Sequence, residues 1–381
     1  MTPRERLNRA LNHQATARPP LDIGSTQNTS ITKIAYENLR AYLGLRPADE
    51  YRVMSKGMQV VEIDEDVRSN LQIDTVPITP SVPESRSAPD SPEGTLTDEW
   101  GVVYRPVRKN GRIIYFELHR CPLAETATPA GLDKIDWPDP DDPGRVRGLR
   151  EAAGKLRAET DYALVGHMGD TAIFQKATFL RGMEAILMDS VSEPRLFTRI
   201  LERILEIQAR KMENYLEAVG EYLDVVSIGD DLGTQNGPLI SPEAFRRLIK
   251  PYLRDYFQVV KNKTKAKLHL HCCGSISLLL DDLIEIGVDV INPVQITARD
   301  MEPEGLKERF GDRLSFWGGI DTQRTLPCGS PEEVAKETRR IVEIMSRGGG
   351  YVVNPVHNIQ WDVPPENIVA MCEATCGSGN V

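Results

Sequence analysis

Two histidines and two cysteines lie within five positions of the segment KLHLHCCGS, residues 267–275. In an extended strand alternate side chains share a face, so His269, His271 and Cys273 point one way while Cys272 points the other way. Zinc readily accepts an imidazole nitrogen and a thiolate sulfur that lie two residues apart on one face. The spacing therefore predicts that His271 and Cys273 belong to a metal site, and it selects Cys273 as the functional thiol.

A metal site needs a third ligand from another part of the chain. His357, which follows the last apolar run, is the best placed residue of a suitable type, and three carboxylates are oxygen alternatives: Asp230, Asp231 and Asp321. A structural explanation stays open as well. Free cysteine is among the most buried residue types, and a core histidine usually just satisfies a hydrogen bond.

Eight short apolar runs would supply the strands that hold these residues, and helical patterns lie between most of them. The runs are RPPLDIGS (18–25), DTVPIT (74–79), DYALVGHMGD (161–170), DVVSIGDDLG (224–233), KLHLHCCG (267–274), DVINPVQ (289–295), LSFWGGID (314–321) and YVVNPVHN (351–358). Strands that alternate with helices are typical of a parallel α/β fold. We predict a (β/α)8 (TIM) barrel with a β-hairpin insertion, and an open doubly wound sheet is the alternative.

The insertion is expected at about residues 80–145, where the alternation of strands and helices stops. Residues 81–94, SVPESRSAPDSPEG, are rich in proline and serine, as is typical of an exposed linker. Residues 101–118 carry an Asn-Gly dipeptide between two β-rich runs, which is a strong hairpin signal. We therefore predict a linker followed by a hairpin that leaves the barrel.

Polar residues gather where the predicted strands end, and active sites of barrel enzymes lie at that end. The residues are Asp22, His167, Asp170, Asp230, Asp231, His271, Cys273, Asn292, Asp321, His357 and Asn358. Loops are polar everywhere, so part of this pattern is automatic. The concentration of carboxylates and imidazoles at one rim nevertheless favours a functional site.

Several of these residues suit particular roles. The adjacent carboxylates Asp230 and Asp231, with His357, are candidate catalytic groups, because paired carboxylates raise the pKa of one of them. The alternative is that one of the two caps the following turn. Candidate substrate contacts are Asp22, His167, Asp170, Asn292, Asp321 and Gln360. For His167 and Asp170, helix capping is an equal alternative.

Composition limits the partners that the protein can have. The net charge of −10 and the pI of about 5.3 argue against nucleic acid, since no basic run offsets them. We find no signal-peptide core and no stretch of about 18 apolar residues, so we expect a cytoplasmic protein that does not enter a membrane. Six cysteines without a secretory signal predict free thiols. We expect the substrate to be a small molecule.

Five segments together resemble the uroporphyrinogen decarboxylase superfamily. They are PRERLNRALNHQATARPPLDIGS (3–25), HLHCCGS (269–275), GVDVINPVQ (287–295), LSFWGGIDTQRTLPCGSPEEV (314–334) and GGGYVVNPVHNIQWDVPPENIVAM (348–371). The resemblance implies a single (β/α)8 barrel domain over residues 1–381, with the insertion at about 80–145. Two activities occur in that superfamily: porphyrinogen decarboxylation without a cofactor, and zinc-dependent methyl transfer between a corrinoid protein and a thiol or similar acceptor.

The resemblance is stronger to the methyltransferase branch. Its decarboxylases carry an arginine-rich motif after the first strand, where residues 22–30 read DIGSTQNTS without arginine. Its methyltransferases carry a His-x-Cys pair on the fifth strand, which His271 and Cys273 match, and a later cysteine ligand that His357 replaces here. The implied cofactor is Zn²⁺. No DxHxxG corrinoid-binding signature is present, so a corrinoid would arrive on a partner protein, and the family also implies a homodimer.

Two other functions stay open at this point. The first is a metal-free decarboxylase or related lyase that depends on Asp231 and His357. The second is a non-enzymatic docking protein for corrinoid carriers. Metal content separates the methyltransferase from both of them.

Overall fold

Residues 1–47, 50–86, 94–126 and 128–377 are described in the computed structural model, and their strands form one large parallel sheet and three small antiparallel sheets. The strands are β1 (Ile31–Thr32), β2 (Val53–Ser55), β3 (Val60–Val61), β4 (Thr75–Ile78), β5 (Leu96–Thr97), β6 (Val103–Lys109), β7 (Arg112–Arg120), β8 (Ala163–Thr171), β9 (Val225–Gly229), β10 (Gly233–Thr234), β11 (Gly237–Pro238), β12 (Lys267–His271), β13 (Val290–Asn292), β14 (Ser315–Ile320) and β15 (Tyr351–Pro355).

Helices follow most strands of the large sheet and cover its outer face. They are α1 (Pro3–Leu11), α2 (Lys33–Tyr42), α3 (Glu65–Asn70), α4 (Leu149–Glu159), α5 (Phe174–Arg181), α6 (Met183–Ser192), α7 (Pro194–Val219), α8 (Pro242–Leu248), α9 (Lys250–Lys263), α10 (Leu280–Glu285), α11 (Pro303–Phe310), α12 (Thr325–Cys328), α13 (Pro331–Met345) and α14 (Pro365–Cys376). Short 3₁₀ turns lie at Glu84–Arg86, Pro129–Lys134 and Pro143–Val146. Among the described helices, none combines the length and the apolar character that a membrane span requires.

The large sheet is parallel and curls into a barrel, which confirms the predicted fold. Its strand order is β15-β14-β13-β12-β9-β8-β4. Leu21 makes a parallel bridge to Val353 of β15, and its carbonyl oxygen accepts a hydrogen bond of 2.9 Å from the amide of Asp74, just before β4. The segment around Leu21 therefore lies between the two edge strands and closes the ring.

This closing segment differs from the regular strand that the sequence predicts at residues 18–25. The amide of Leu21 donates to the side-chain carboxylate of Asp74, at 2.8 Å, instead of to a backbone carbonyl. Pro19 and Pro20 have no amide hydrogen to add to a ladder. The pairing is therefore confined to a single bridge.

Helix α1 closes the amino-terminal end of the barrel. Its residues Leu7 and Leu11 are buried and belong to a small apolar cluster with inward-facing strand residues. The strand residues of that cluster are Ala163, Val165, Val225, Val290, Trp317 and Val352. With one end filled, the interior opens only toward the carboxyl ends of the strands within the part of the chain that the structure describes.

The predicted hairpin is present as the antiparallel pair β6 and β7. Asn110 and Gly111 form its turn with φ angles of 49° and 78°, the left-handed region that a two-residue hairpin turn requires. The predicted linker, residues 81–94, is described only in part, because residues 87–93 lie outside the described residues.

Candidate metal centre

A cavity of about 600 Å³ opens at the carboxyl ends of the barrel strands. His271, His357 and Asp231 line it on the barrel side. The hairpin β6–β7 lines it on the opposite side, through residues such as Phe116. The cavity therefore lies where a barrel enzyme places its reacting groups.

His271 ends β12 with its ring held by a chain of hydrogen bonds. The side-chain amide of Asn292 donates to the carbonyl oxygen of Trp317 at 2.9 Å, which turns the oxygen of that amide toward His271. The Nδ1 atom of His271 lies 2.5 Å from this oxygen, so Nδ1 carries the hydrogen and donates it. The Nε2 lone pair of His271 is then available to bind a cation, as in histidines that ligate zinc.

Cys273 and His357 bring their ligand atoms to the same point. The Sγ atom of Cys273 lies 3.4 Å from Nε2 of His271, and the ligand atoms of His271, Cys273 and His357 all lie within 4.8 Å of one another. Zinc–nitrogen and zinc–sulfur bonds of roughly 2.0 to 2.3 Å place neighbouring ligand atoms of a tetrahedron about 3.5 Å apart. The donor set of two imidazoles and one thiol fits zinc.

The alternation expected for β12 is present. Leu268, Leu270 and Cys272 are buried in the apolar layer between barrel and helices. His269 faces the interior, where its ring packs against Trp317 with centroids 5.0 Å apart. His269 lies deeper in the barrel than His271, away from the candidate ligands.

Burial sets the protonation of the candidate ligands before any cation binds. Burial lowers the pKa of His357 to about 4, with His271 adding to the effect. Burial and the nearby Asp231 carboxylate raise the pKa of the Cys273 thiol well above its usual value. Both groups are thus neutral at neutral pH without a cation, and a bound divalent cation would favour the thiolate of Cys273 instead.

Asp231 connects the candidate ligands to the cavity wall. One of its carboxylate oxygens accepts the amide hydrogen of Cys273 at 2.8 Å, and the other accepts a hydrogen bond of 2.6 Å from the side chain of Gln175. The carboxylate therefore fixes the turn after β12. It also places a negative charge beside the thiol.

Asp230 and Asp321 lie outside the residues that line the cavity and serve helix starts. The carboxylate of Asp230 accepts hydrogen bonds from the backbone amides of residues 173–175 at the beginning of α5. Asp321 accepts from the amides of residues 323–325, where α12 begins. Burial raises the pKa of Asp230 to about 7, although the three amides oppose that shift. Both carboxylates therefore cap helix starts, and Asp230 does so at α5, earlier in the chain, instead of at the turn that follows it.

Asp22 and Asn292 also lie outside the cavity lining. Asp22 is fully buried and accepts hydrogen bonds from Ser25, Thr75 and the indole of Trp317. Burial raises its pKa, while these hydrogen bonds oppose the shift. Asn292 supports His271 instead of facing the cavity.

Three predicted contact residues do line the cavity: His167, Asp170 and Gln360. Gln360 donates its side-chain amide to Asn358, which lines the cavity as well. The structure thus brings these three together with His271, His357 and Asp231, and it places the other predicted contacts in supporting positions.

Comparisons with known proteins identify the family. The sequence model of the uroporphyrinogen decarboxylase (URO-D) family matches residues 110–376. The chain belongs to this family. The resemblance found in the sequence is thereby confirmed.

Two relatives of the chain have names that state different activities. The methylcobamide:CoM methyltransferase MtaA of Methanosarcina barkeri (strain Fusaro / DSM 804) is 28% identical over 233 residues, 60% of this chain and 63% of the relative. A uroporphyrinogen decarboxylase of Alkalilimnicola ehrlichii is 25% identical over 265 residues, 64% of this chain and 65% of the relative. The chain thus spans less than two thirds of the length of these curated relatives.

A solved structure shares the fold over nearly its full length. It is described as a methyltransferase from Methanosarcina mazei, with a TM-score of 0.63, 20% sequence identity and coverage of 98% of both chains. At this identity the likeness shows a common fold. It extends the fold assignment beyond residues 110–376, which the family model matches.

The cavity of this URO-D family member contains a charged group that sequence patterns did not reveal. Lys176 and Lys211 are buried, and both form ion pairs with Asp170, at 2.5 and 3.0 Å. The ring of Trp100 lies beside both ammonium groups, with its centroid 5.0 Å from the Nζ atom of Lys176 and 5.4 Å from that of Lys211. Its indole nitrogen donates to Asp170 at 3.0 Å.

This group settles the ionisation of Asp170. Burial alone would raise the pKa of Asp170, but Lys176 and Lys211 outweigh burial and hold that pKa below its usual range. The one sequence signal that could have indicated this buried group is a lysine at a helix position where the periodicity predicts an apolar residue. Lys211 occupies such a buried position of α7.

Proposed function

We propose that this URO-D family member is a zinc-dependent methyltransferase that moves a methyl group between a corrinoid protein and a thiol or another small acceptor. The observation that carries the proposal is the placement of the ligand atoms of His271, Cys273 and His357 within 4.8 Å of one another beside an open cavity. The relative named methylcobamide:CoM methyltransferase supports this choice within the family.

The proposed roles follow from the positions of the side chains. His271, Cys273 and His357 would hold zinc, and Asn292 would keep Nε2 of His271 pointed at it. Zinc at this place would act as a Lewis acid that keeps a substrate thiol deprotonated at neutral pH. A zinc ion held by two neutral imidazoles and one thiolate would keep more positive charge than one held by a single imidazole and two thiolates. This difference favours acceptors that need stronger activation.

The cavity would align the acceptor with the methyl group. The acceptor atom forms a bond to the methyl carbon while the cobalt–carbon bond breaks, and cobalt keeps that electron pair. The thiol proton leaves to solvent. Because the corrinoid would be carried by a partner protein, the open end of the barrel is the side on which that partner would dock. His167, Asp170 and Gln360 would contact the acceptor, and holding both reactants in line lowers the barrier.

Charge at the cavity disfavours the decarboxylase alternative. Four carboxylates line the cavity and one ammonium group accompanies them: Asp98, Glu99, Asp170, Asp231 and Lys176. Lys176 and Lys211 balance part of this charge, but no arginine lines the cavity among the described residues, so it lacks the guanidinium groups that would pair with the eight carboxylates of a porphyrinogen. Some relatives of the chain are named uroporphyrinogen decarboxylase. Decarboxylation is therefore one of the outcomes that the experiments below distinguish.

Metal content of variants tests the proposal. The protein and the variants Cys273→Ala and Cys272→Ala are loaded with zinc, desalted and subjected to elemental analysis. We expect about one zinc per chain for the protein and for Cys272→Ala, and loss of zinc in Cys273→Ala, since the two cysteines are neighbours on opposite faces of one strand. Asn292→Ala should weaken zinc affinity about 10- to 100-fold in a chelator competition.

Activity separates the alternatives. The zinc-loaded protein should transfer methyl groups from methylcobalamin to small thiols, and Cys273→Ala should not. Equal zinc in the Cys273→Ala and Cys272→Ala variants would contradict the proposal. A metal-free protein whose lyase activity depends on Asp231 and His357 would establish the decarboxylase alternative, and zinc-independent binding of a corrinoid protein without turnover would establish a docking module.

A further inference from the structure

The polar side chains that line the large cavity away from the candidate metal ligands are mostly uncharged, and several of them are carboxamides. The carboxamides are those of Gln27, Asn28, Gln175, Asn358 and Gln360. A carboxamide offers a hydrogen-bond donor and an acceptor and carries no charge. The cavity can therefore form hydrogen bonds with a bound molecule without supplying a counter-charge.

The side chain of Asn28 has its hydrogen-bonding capacity unused. Within the described part of the chain, the hydrogen bond found for Asn28 is that of its backbone amide, which donates to Oγ1 of Thr26 at 3.2 Å. The residue is half-buried and lines the cavity. A Cβ atom added at Gly229 would lie 4.0 Å from Nδ2 of Asn28, so this carboxamide reaches the end of β9.

The loop that carries Asn28 is rigid. The amide of Thr26 donates to Oγ1 of Thr29 at 3.0 Å, and the amide of Gly24 donates to the carbonyl oxygen of Thr29 at 3.0 Å. Both threonines are buried. A side chain held by such a support presents a ligand with a fixed partner, as specific recognition requires.

The one lysine or arginine that lines the cavity within the described residues already has a counter-charge. Lys176 is only 3% exposed and pairs with Asp170 at 2.5 Å. Its Nζ atom also lies over the ring of Trp100. The charge of Lys176 is thus neutralised inside the cavity wall.

The carboxylates of the cavity wall are engaged as well. Asp98 accepts hydrogen bonds from the backbone amides of residues 100 and 102, both at 2.9 Å. Glu99 pairs with Lys211 at 2.5 Å and with Arg145. The other two carboxylates have the partners given above. A charged ligand would lose its hydration in the cavity and find no unpaired counter-charge among these groups, which is strongly unfavourable.

We infer that the methyl acceptor is a molecule that is uncharged apart from its reacting atom, and that Asn28 recognises it through a hydrogen bond. Apolar side chains such as those of Met58, Phe116, Met168 and Phe179 form much of the remaining wall. The acceptor therefore has an apolar body and a neutral polar group, an amide or a hydroxyl. This inference rests on the proposed function in taking the ligand to be the methyl acceptor.

Three probes of nearly equal shape test the charge of the ligand. At neutral pH benzamide is uncharged, benzoate is an anion and benzamidine is a cation. Isothermal titrations at constant ionic strength use the metal-free protein, so that no probe can bind to zinc. Benzamide should bind at least about tenfold more tightly than either charged probe, because each charged probe would be buried without a counter-charge.

Two substitutions at position 28 test the assigned residue. Asn28→Leu should weaken benzamide binding several-fold and leave benzoate binding little changed. Asn28→Arg supplies the missing counter-charge, so benzoate should become the tighter ligand of the two. The matched control Asn70→Arg adds the same charge at an exposed position of α3 outside the cavity lining and should keep the original order.

Several results would overturn the inference. They are tightest binding of benzoate or benzamidine, equal binding of the three probes, and no binding of any of them at millimolar concentration. The same order of affinities in Asn28→Arg and Asn70→Arg would also overturn it, because the probes would then not bind beside Asn28.

Activity distinguishes this inference from the proposed function. The zinc-loaded protein should methylate the neutral thiol N-acetylcysteamine with a kcat/KM at least about tenfold above that for the anion 2-mercaptoethanesulfonate. A preference for the anionic thiol would reject the uncharged acceptor and leave the methyltransferase in place. If benzamide binds as expected but no thiol is methylated, the methyltransferase is rejected and the recognition of an uncharged ligand by Asn28 is retained.

Discussion

The imidazole of His167 is buried beside the cavity with only one of its nitrogens satisfied. Its Nδ1 atom accepts the amide hydrogen of Gly169 at 3.2 Å, and its Nε2 atom has no partner among the described residues. Burial lowers its pKa from 6.5 to about 4. In the unfolded chain the same histidine takes up its proton near the ordinary value, so between these two pKa values the unfolded state binds more protons than the folded state.

The free energy of unfolding should therefore fall as pH is lowered from about 6.5 to 4, by about 1.4 kcal/mol per pH unit for one proton. The variant His167→Gln should lose this part of the slope, a difference that reaches about 3 kcal/mol at pH 4. Urea unfolding at several pH values measures it. His119→Gln on the exposed face of β7 is the control and should keep the original slope, and an unchanged slope in His167→Gln would show that His167 is not held neutral.

The role of a single residue could be predicted where its partners lie close to it in the sequence, and not where they lie far away in the sequence. The pairing of His271 with Cys273 follows from strand alternation, a property of five consecutive residues, and the structure has it. Asp230 and Asp231 cannot be distinguished in this way. The amides that occupy Asp230 belong to α5, more than fifty positions earlier in the chain, so its capping role depends on a tertiary contact that no local pattern records.

Among the elements, α1 determines which end of the barrel can hold a site. Leu7 is completely buried against strand residues that face the barrel interior. Replacing it with alanine leaves a cavity in a region where five strands and a helix meet, and neighbouring side chains held by those strands cannot fill it. This predicts a large cost for one truncated side chain.

We expect Leu7→Ala to lower the free energy of unfolding by about 2 to 5 kcal/mol. Leu278→Ala is the matched control, because 58% of Leu278 is exposed, and it should change stability by less than about 0.5 kcal/mol. Urea unfolding followed by circular dichroism measures both. If Leu7→Ala cost no more than Leu278→Ala, α1 would not be closing the barrel.

The elements themselves were predictable where their signals were local. The Asn110-Gly111 turn fixes the hairpin, because both residues adopt positive φ angles at little cost. The closing segment at Leu21 was predicted as a regular strand and is a single bridge. The amide of Leu21 donates to the side chain of Asp74. A run of apolar residues does not reveal whether its amides will pair with backbone acceptors or with side-chain acceptors.

At the scale of the whole molecule, alternation of strands and helices was enough to predict the barrel, since parallel strands joined by helices have few ways to pack. The buried group of Lys176, Lys211, Asp170 and Trp100 was not predictable. Trp100 belongs to the insertion and Lys211 to α7, so the group exists only after the insertion has folded over the barrel mouth.

Closure of the ring depends on one carboxylate. Asp74 precedes β4, its side chain is fully buried, and it forms ion pairs with Arg6 of α1 and with Arg18. It also accepts the amide of Leu21. One side chain thus ties the helix at the end of the barrel and the closing segment to the first strand of the large sheet.

Removing that charge should open the ring at its weakest contact. Asp74→Asn keeps the size of the side chain but leaves two largely buried arginines without a counter-charge, and breaking such a buried pair costs about 3 to 5 kcal/mol. The control Asp255→Asn breaks an exposed pair with Arg254, where both side chains are more than half exposed, and should cost less than about 1 kcal/mol.

The unfolding measurements use urea instead of guanidinium chloride, because guanidinium chloride is a salt and salt screens exposed pairs more than buried ones. The cost for Asp74→Asn should persist when sodium chloride is added, and the small cost for Asp255→Asn should disappear. Equal costs for the two variants, or a salt-sensitive cost for Asp74→Asn, would mean that the barrel closes through apolar packing of α1 alone and that the carboxylate is incidental to it.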